Sequence, residues 1–116
     1  MMIYKVIFKV FILMAMFAMM SFTVVIDAGH GGHDTGAVGL KMGVQEKNLN
    51  LTVAKQLAAK IGEKYPEVKI ILTRDTDVFL PLQQRADIAN KNHADLFISI
   101  HTNAAENRKA CGAETF

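Results

Sequence analysis

Hydrophobic residues occur along the chain in two alternating patterns. Three short runs rich in β-branched and other apolar residues, typical of strands, occupy positions 23–27 (TVVID), 68–74 (VKIILTR) and 94–101 (ADLFISIH), and the first suits a strand buried on both faces. Between them, in segments 45–65 and 82–92, apolar residues recur at three- and four-residue spacing, which predicts amphipathic helices. This order predicts an α/β fold, with a mainly parallel sheet and crossover helices on its faces.

The two predicted helices have apolar stripes and recognisable ends. The stripe of the first comprises Leu51, Ala54, Leu57, Ala58 and Ile61, and that of the second comprises Leu82, Ala86 and Ala89. We expect Gly62 and Pro66 to mark the end of the first helix and Pro81 to open the second. The final residues AETF (113–116) resemble the start of a fourth strand, so we expect the sequence to lack the C-terminal part of its domain.

The first 22 residues differ from the rest of the chain. Lys5 and Lys9 are followed by an uncharged, strongly apolar run from Val10 to Phe22. A basic start before such a run predicts a signal peptide that directs export to the periplasm or cell envelope. An uncleaved membrane leader is the alternative, since a span needs ~20 apolar residues. We therefore expect a leader at 1–22 and a domain at 23–116.

Charge and cysteine content restrict the functions open to the domain. The net charge of the chain is +2, and Lys5 and Lys9 account for this surplus because all 11 acidic residues lie beyond residue 22. A formally neutral domain argues against a nucleic-acid partner, which would favour a basic surface. Cys111 is the only cysteine, so no intrachain disulfide can form.

Three potential metal ligands are expected to meet at one edge of the predicted sheet. His30 follows the first strand, His101 is expected to end the third, and Glu46 lies at the start of the first helix. In open α/β sheets, functional groups gather beyond the carboxyl ends of the strands. Two imidazoles and one carboxylate form a zinc ligand set that leaves a fourth position for water. Taken singly, each residue also has an ordinary structural interpretation, as a surface histidine or a first-turn acid.

Other residues compete for these roles. His33 is an alternative first ligand, although it lies farther from the strand than His30 does. His93 precedes the third strand and is expected at the opposite end of the sheet. Cysteine is a common zinc ligand, but the simpler interpretation of Cys111 is a residue in a surface turn. The loop GHGGHDTG could also cradle an anion in a nucleotide-binding protein, but it matches neither the P-loop nor the dinucleotide-binding spacing.

Six segments, in this order, resemble zinc-dependent N-acetylmuramoyl-L-alanine amidases of the bacterial cell-division type. They are VVIDAGHGGHDTGAVG, QEKNLNL, ILTRDTD, LQQRADIANK, ADLFISIHTNAA and GAETF, and they span residues 24–116. The resemblance implies hydrolysis of the amide that joins N-acetylmuramic acid to L-alanine in peptidoglycan. It also implies zinc ligation by His30, Glu46 and His101, and it places His33 at a variable position.

The resemblance leaves the catalytic residue unassigned. In the family, a second glutamate near the end of the domain acts as general base, and that position is expected beyond Phe116. Glu114 belongs to the GAETF block and does not take over this role. Arg74, Arg85 and Asn103 also lie in segments that match the family, but the sequence does not assign a role to any of them. A non-catalytic peptidoglycan-binding or regulatory protein that keeps the zinc site is the alternative function. An activator protein is not identified by any of these residues, and membrane contact is expected only through an uncleaved leader.

Overall fold

A computed structural model describes residues 2–17, 21–39, 43–103 and 112. Within these residues, three helices alternate with three strands: α1 (Met2–Phe17), β1 (Thr23–Ala28), α2 (Glu46–Lys64), β2 (Lys69–Leu72), α3 (Leu82–Lys91) and β3 (Leu96–Ile100). The strands form one parallel sheet in the order β2-β1-β3. The predicted α/β fold with a mainly parallel sheet is therefore confirmed.

Strand β1 is the centre of the sheet and is buried along its whole length. One of its faces presents Val24, Ile26 and Ala28 to α2, where Ala54 completes the buried cluster. Because successive side chains of a strand point to opposite faces, Asp27 lies on the other face, where it contacts Arg85 of α3. The two crossover helices therefore cover opposite faces of β1.

Helix α2 packs on the sheet through the stripe that the sequence predicts. Leu51, Leu57, Ala58 and Ile61 surround the buried Ala54 and contact the apolar face of the sheet. The helix continues past Gly62 and ends at Lys64, where the Tyr65 N–H donates to the Ile61 carbonyl. Gly62 therefore does not mark the end of the helix as predicted. Pro66 follows the end directly, as a residue without an N–H is expected to do.

Helix α3, the second crossover helix, packs less completely against the rest of the protein than α2 does. Pro81 precedes α3 as predicted, and Arg85 is the buried residue of this helix. Leu82, Ala86 and Ala89 do form a stripe, but it lines an open cavity of about 460 Å³ between α3 and β3, and Leu82 is 86% exposed.

Within the described residues, no helix is long and apolar enough to cross a membrane. Residues 2–17, within the predicted leader, form α1, and the described side chains of this helix, including Phe8 and Phe11, are exposed. The predicted fourth strand, at 113–116, lies outside the described residues.

Candidate metal centre

His30, Glu46 and His101 meet beyond the carboxyl ends of β1 and β3, as their positions in the sequence predict. One ligand atom from each of the three side chains lies within 4.8 Å of the other two. The Glu46 Oε1 atom is 3.3 Å from His30 Nε2 and 3.2 Å from His101 Nδ1. The imidazoles meet edge to face, with ring centroids 4.9 Å apart.

His30 projects from a loop with an uncommon backbone. Its φ of 62° lies in the left-handed region, which few residues other than glycine adopt. The next residues form a tight turn in which the Gly31 and Asp34 backbones donate to each other's carbonyls. Gly36, also at a φ of 62°, lies so close to His30 and Glu46 that an added Cβ would come within 2.6 Å of His30 Cδ2 and 2.8 Å of Glu46 Oε2. The loop therefore requires a glycine at this point for the two ligands to meet.

Glu46 is the first residue of α2 and is buried. Its Oε2 accepts the Ala37 N–H at 2.9 Å, and its Oε1 accepts the Thr102 N–H at 3.0 Å and the Asn50 amide at 3.4 Å. Burial alone would raise the pKa of the carboxyl, but these hydrogen bonds and the charge of His30 outweigh that effect and lower the pKa. The carboxylate is thus held ionised and in one orientation.

His101 is the first residue after β3, one position later than the strand-end position predicted for it. Its imidazole lies against Gly29, so closely that a Cβ at Gly29 would overlap the ring. Gly29 is itself fixed, because its N–H donates to the Ile100 carbonyl and its own carbonyl accepts from Asn50 and Arg74. The His101 side chain remains 41% exposed, so the cluster is open to solvent on this side.

Two arginines hold the segment that connects β1 to His30. Arg74 donates to the carbonyls of Ala28, Gly29 and Lys47, and Arg85 donates to those of Ala28 and His30. Both guanidinium groups are buried, and most of their hydrogen bonds go to backbone carbonyls. The structure therefore gives these two residues a structural role, which the sequence alone could not assign.

The contacts of Asp27 explain why the apolar strand β1 has an acid near its end, which the sequence alone does not explain. Its carboxylate accepts from Thr73 Oγ1 at 2.6 Å, Ser99 Oγ at 2.7 Å and Arg85 Nη1 at 2.8 Å. Burial would raise the pKa of this carboxyl, but the three hydrogen bonds and the Arg85 charge lower it. Asp27 thereby joins β1, β3, α3 and the residue after β2.

The competing ligand candidates lie elsewhere. The His33 ring packs on Phe79 with centroids 4.2 Å apart and is not part of the cluster. His93 follows α3, and its N–H donates to the Asn90 carbonyl before β3 begins, at the opposite end of the sheet. Cys111 and Glu114 lie outside the described residues.

Two cavities border the cluster. The cavity between α3 and β3 includes His30 and His101 in its lining and is otherwise largely apolar, with Phe79 and Phe97. A smaller one of about 220 Å³ is lined by Glu46, Val38, Leu49, Thr102 and Asn103. An extended substrate thus has room on both the histidine and the glutamate side of the cluster.

Two of the three separations within the donor set are those that a tetrahedral metal ion requires. Two ligands on a zinc ion with bonds of ~2.0–2.1 Å lie about 3.3 Å apart, close to the separations of Glu46 Oε1 from His30 Nε2 and His101 Nδ1. An ionised carboxylate only accepts, so each imidazole nitrogen facing it requires a proton or a cation between them. These residues fit a zinc ion.

Sequence reasoning missed the side chains around the ligands. Asp34 accepts from His30 Nδ1 at 2.9 Å, and the fully buried Asn50 donates to Gly29 and Glu46. Asn50 lies one helical turn after Glu46, and that i,i+4 spacing was a signal available in the sequence. Nothing in the spacing of Asp34 alone singles it out from other loop acids.

Comparison with known proteins shows the same architecture and sequence pattern. A family described as N-acetylmuramoyl-L-alanine amidase matches residues 24–116. The chain is 44% identical to the amidase AmiC of Escherichia coli O6:H1 over 93 residues, which is 80% of this chain and 22% of that protein. It is 46% identical to AmiA of Salmonella typhimurium, covering 31% of that protein. The solved structure of AmiC2 of Nostoc punctiforme matches with a TM-score of 0.69 and 45% identity, over 76% of this chain and 47% of that one. The chain thus spans less than half the length of each of these relatives.

Proposed function

The chain belongs to the N-acetylmuramoyl-L-alanine amidase family, and from that membership we propose that it hydrolyses the amide between N-acetylmuramic acid and L-alanine of peptidoglycan at a zinc ion bound by His30, Glu46 and His101. The single observation that supports this most strongly is the convergence of two imidazoles on one buried carboxylate oxygen. A zinc ion at this site would act as a Lewis acid toward the scissile carbonyl and lower the pKa of water.

The residues around the ligands position them before any ion or substrate arrives. Arg74 and Arg85 hold the backbone that presents His30, and three donors fix the Glu46 carboxylate. The open cavities on both sides of the cluster leave space for a polymer, whose glycan and peptide must extend in different directions from the scissile amide.

Proton transfer to the leaving amine needs an acid–base group. The acidic side chains described at the cluster, Glu46 and Asp34, already accept hydrogen bonds from other groups of the protein. Both oxygens of Glu46 accept hydrogen bonds, and Asp34 accepts from His30 and from the Gly36 N–H. We therefore assign no general base within the described residues. A protein that binds peptidoglycan at the zinc site without cleaving it is the second candidate, and this engagement of both carboxylates is the observation that favours it.

Zinc binding tests the ligand assignment. We expect the wild-type chain to bind one zinc ion, and His101→Ala to lose it, because only two of three ligands remain. His33→Ala is the matched control, since His33 contacts Phe79 and not the cluster. Metal analysis after gel filtration gives the stoichiometry, and full zinc content in His101→Ala would refute the site.

We further propose that residues 1–22 direct export to the periplasm or envelope, where peptidoglycan is found, and that 23–116 form the amidase domain. The lysines before an apolar run support this. Mass spectrometry of envelope material is expected to find the mature chain without its leader. An intact Met1 in the membrane fraction would instead support the membrane leader.

A further inference from the structure

We propose that Asp34 is a positioning residue for the metal centre, which fixes the tautomer of His30 so that its Nε2 lone pair points to the zinc position. The inference deepens the proposed function and rests on it. It concerns a residue that is not itself a ligand, since its carboxylate faces the outer nitrogen of the imidazole.

The contact between Asp34 and His30 determines which nitrogen has the proton. Asp34 Oδ2 lies 2.9 Å from His30 Nδ1. An ionised carboxylate only accepts hydrogen bonds, so Nδ1 is the donor to Asp34, and Nε2 keeps its lone pair for a cation that lies between it and Glu46. Nε2 is the nitrogen that faces Glu46 Oε1, at 3.3 Å. Hydrogen bonding of the outer nitrogen to a carboxylate is the usual way in which a ligating histidine is oriented.

Asp34 is in turn held by its own loop. Its second oxygen, Oδ1, accepts the Gly36 N–H at 3.1 Å, and its backbone is tied to Gly31 in both directions. These bonds fix the carboxylate relative to the His30 backbone, which lies four residues earlier. The Asp34 side chain is 42% exposed, so its role is not that of a residue buried in the core.

A purely structural role is the rival explanation, in which Asp34 only closes the turn through Gly36. Asp34→Asn separates the two roles. The amide oxygen still accepts the Gly36 N–H, which keeps the turn, but the amide nitrogen then faces His30 Nδ1 as a donor. That arrangement favours the opposite tautomer, with the proton on Nε2, and blocks the nitrogen that faces the metal position.

The experiment compares wild type, Asp34→Asn and Asp87→Asn in the full chain. Asp87→Asn removes the same charge from α3, where, within the described part of the chain, the carboxylate accepts a hydrogen bond from Gln83. Zinc affinity is measured by competition with a chromogenic chelator. The protonation of the two His30 ring nitrogens is read in the zinc-loaded chain by ¹⁵N NMR. Circular dichroism monitors folding.

We expect Asp34→Asn to fold but to bind zinc about 10–100-fold more weakly, the usual cost of removing such a partner, while Asp87→Asn matches wild type. In the zinc-loaded wild type, His30 is expected to bear its proton on Nδ1, bonded to Asp34, and to bind the ion through Nε2. Zinc affinity within threefold of wild type in Asp34→Asn would overturn the inference.

The wild-type spectrum keeps the inference testable even if the variant does not fold, because zinc bound through His30 Nδ1 in the wild-type chain would overturn it directly. Failure of the proposed function has a different signature. Wild type that binds no zinc, or zinc retained in His101→Ala, would refute the ligand set, whereas zinc bound by wild type and lost in His101→Ala, with unchanged affinity in Asp34→Asn, would refute the role of Asp34 alone.

Discussion

The contact between Gly29 and His101 shows how one missing side chain fixes a ligand. The imidazole occupies the space where any other residue at position 29 would place its Cβ. Because Gly29 is bonded through both its N–H and its carbonyl, it cannot move away from the ring. The position of His101 therefore depends on the absence of a Cβ atom at Gly29. A search of the sequence for functional groups does not reveal such a dependence.

Gly29→Ala is expected to displace His101 and lower zinc affinity by about tenfold or more, the range seen when ligand orientation is lost. The exposed imidazole can turn toward solvent, so the fold should persist. Gly39→Ala is the matched control, because a Cβ there meets only ordinary contacts at 3.5 Å or more. Chelator competition measures both variants, and equal affinities would contradict the steric argument.

The convergence of the three proposed ligands could be predicted because their positions depend only on topology. His30 and His101 follow strands, and Glu46 begins a helix that leaves the same edge. Asp34, Asn50 and Asp27 could not be assigned, because their partners are set by side-chain distances within the folded structure. Asp27 and Arg85, for example, are 58 positions apart and meet only when α3 covers the sheet.

Strands and helices followed from the hydrophobic pattern with small errors at their ends. Gly62 was expected to end α2, but the apolar stripe through Ile61 packs on the sheet and holds the helix together for two further residues. The leader and the fourth strand remain predictions. Packing of α2 thus outweighs the weak helix propensity of one glycine, which costs roughly 0.5–1 kcal/mol.

Asp27 makes the joining of the elements dependent on pH. Its pKa is lowered in the folded chain, so its contribution to stability is present above its unfolded value of ~3.9 and is lost as pH falls through the lower folded value. We expect Asp27→Asn to be less stable than wild type at pH 7, and the gap to close as pH falls below about 4. Thermal unfolding monitored by circular dichroism tests this, and a gap that is constant with pH would contradict it.

At the scale of the whole molecule, the described residues provide proposed ligands for a metal but no free carboxylate at the site to move protons. Since general-base catalysis contributes typically ~10²–10⁴-fold, we expect a chain limited to these 116 residues to release stem peptide at least about 100-fold more slowly than a family member that has a general base in its site. Release of peptide from purified muramyl-peptide is the measurement. Rapid, chelator-sensitive release would contradict the expectation, and would make Glu114 the first residue to substitute.

The central position of β1 also sets the time at which the metal site can form. This strand is the first made of the three described strands, and its neighbour β3 is the last of them, so His101 follows 71 positions after His30. At ~5–20 residues per second, a ribosome needs roughly 4–14 s to cover that interval. During it, only His30 and Glu46 of the three proposed ligands have been made. A metal ion held by all three would therefore have to wait until β3 is complete.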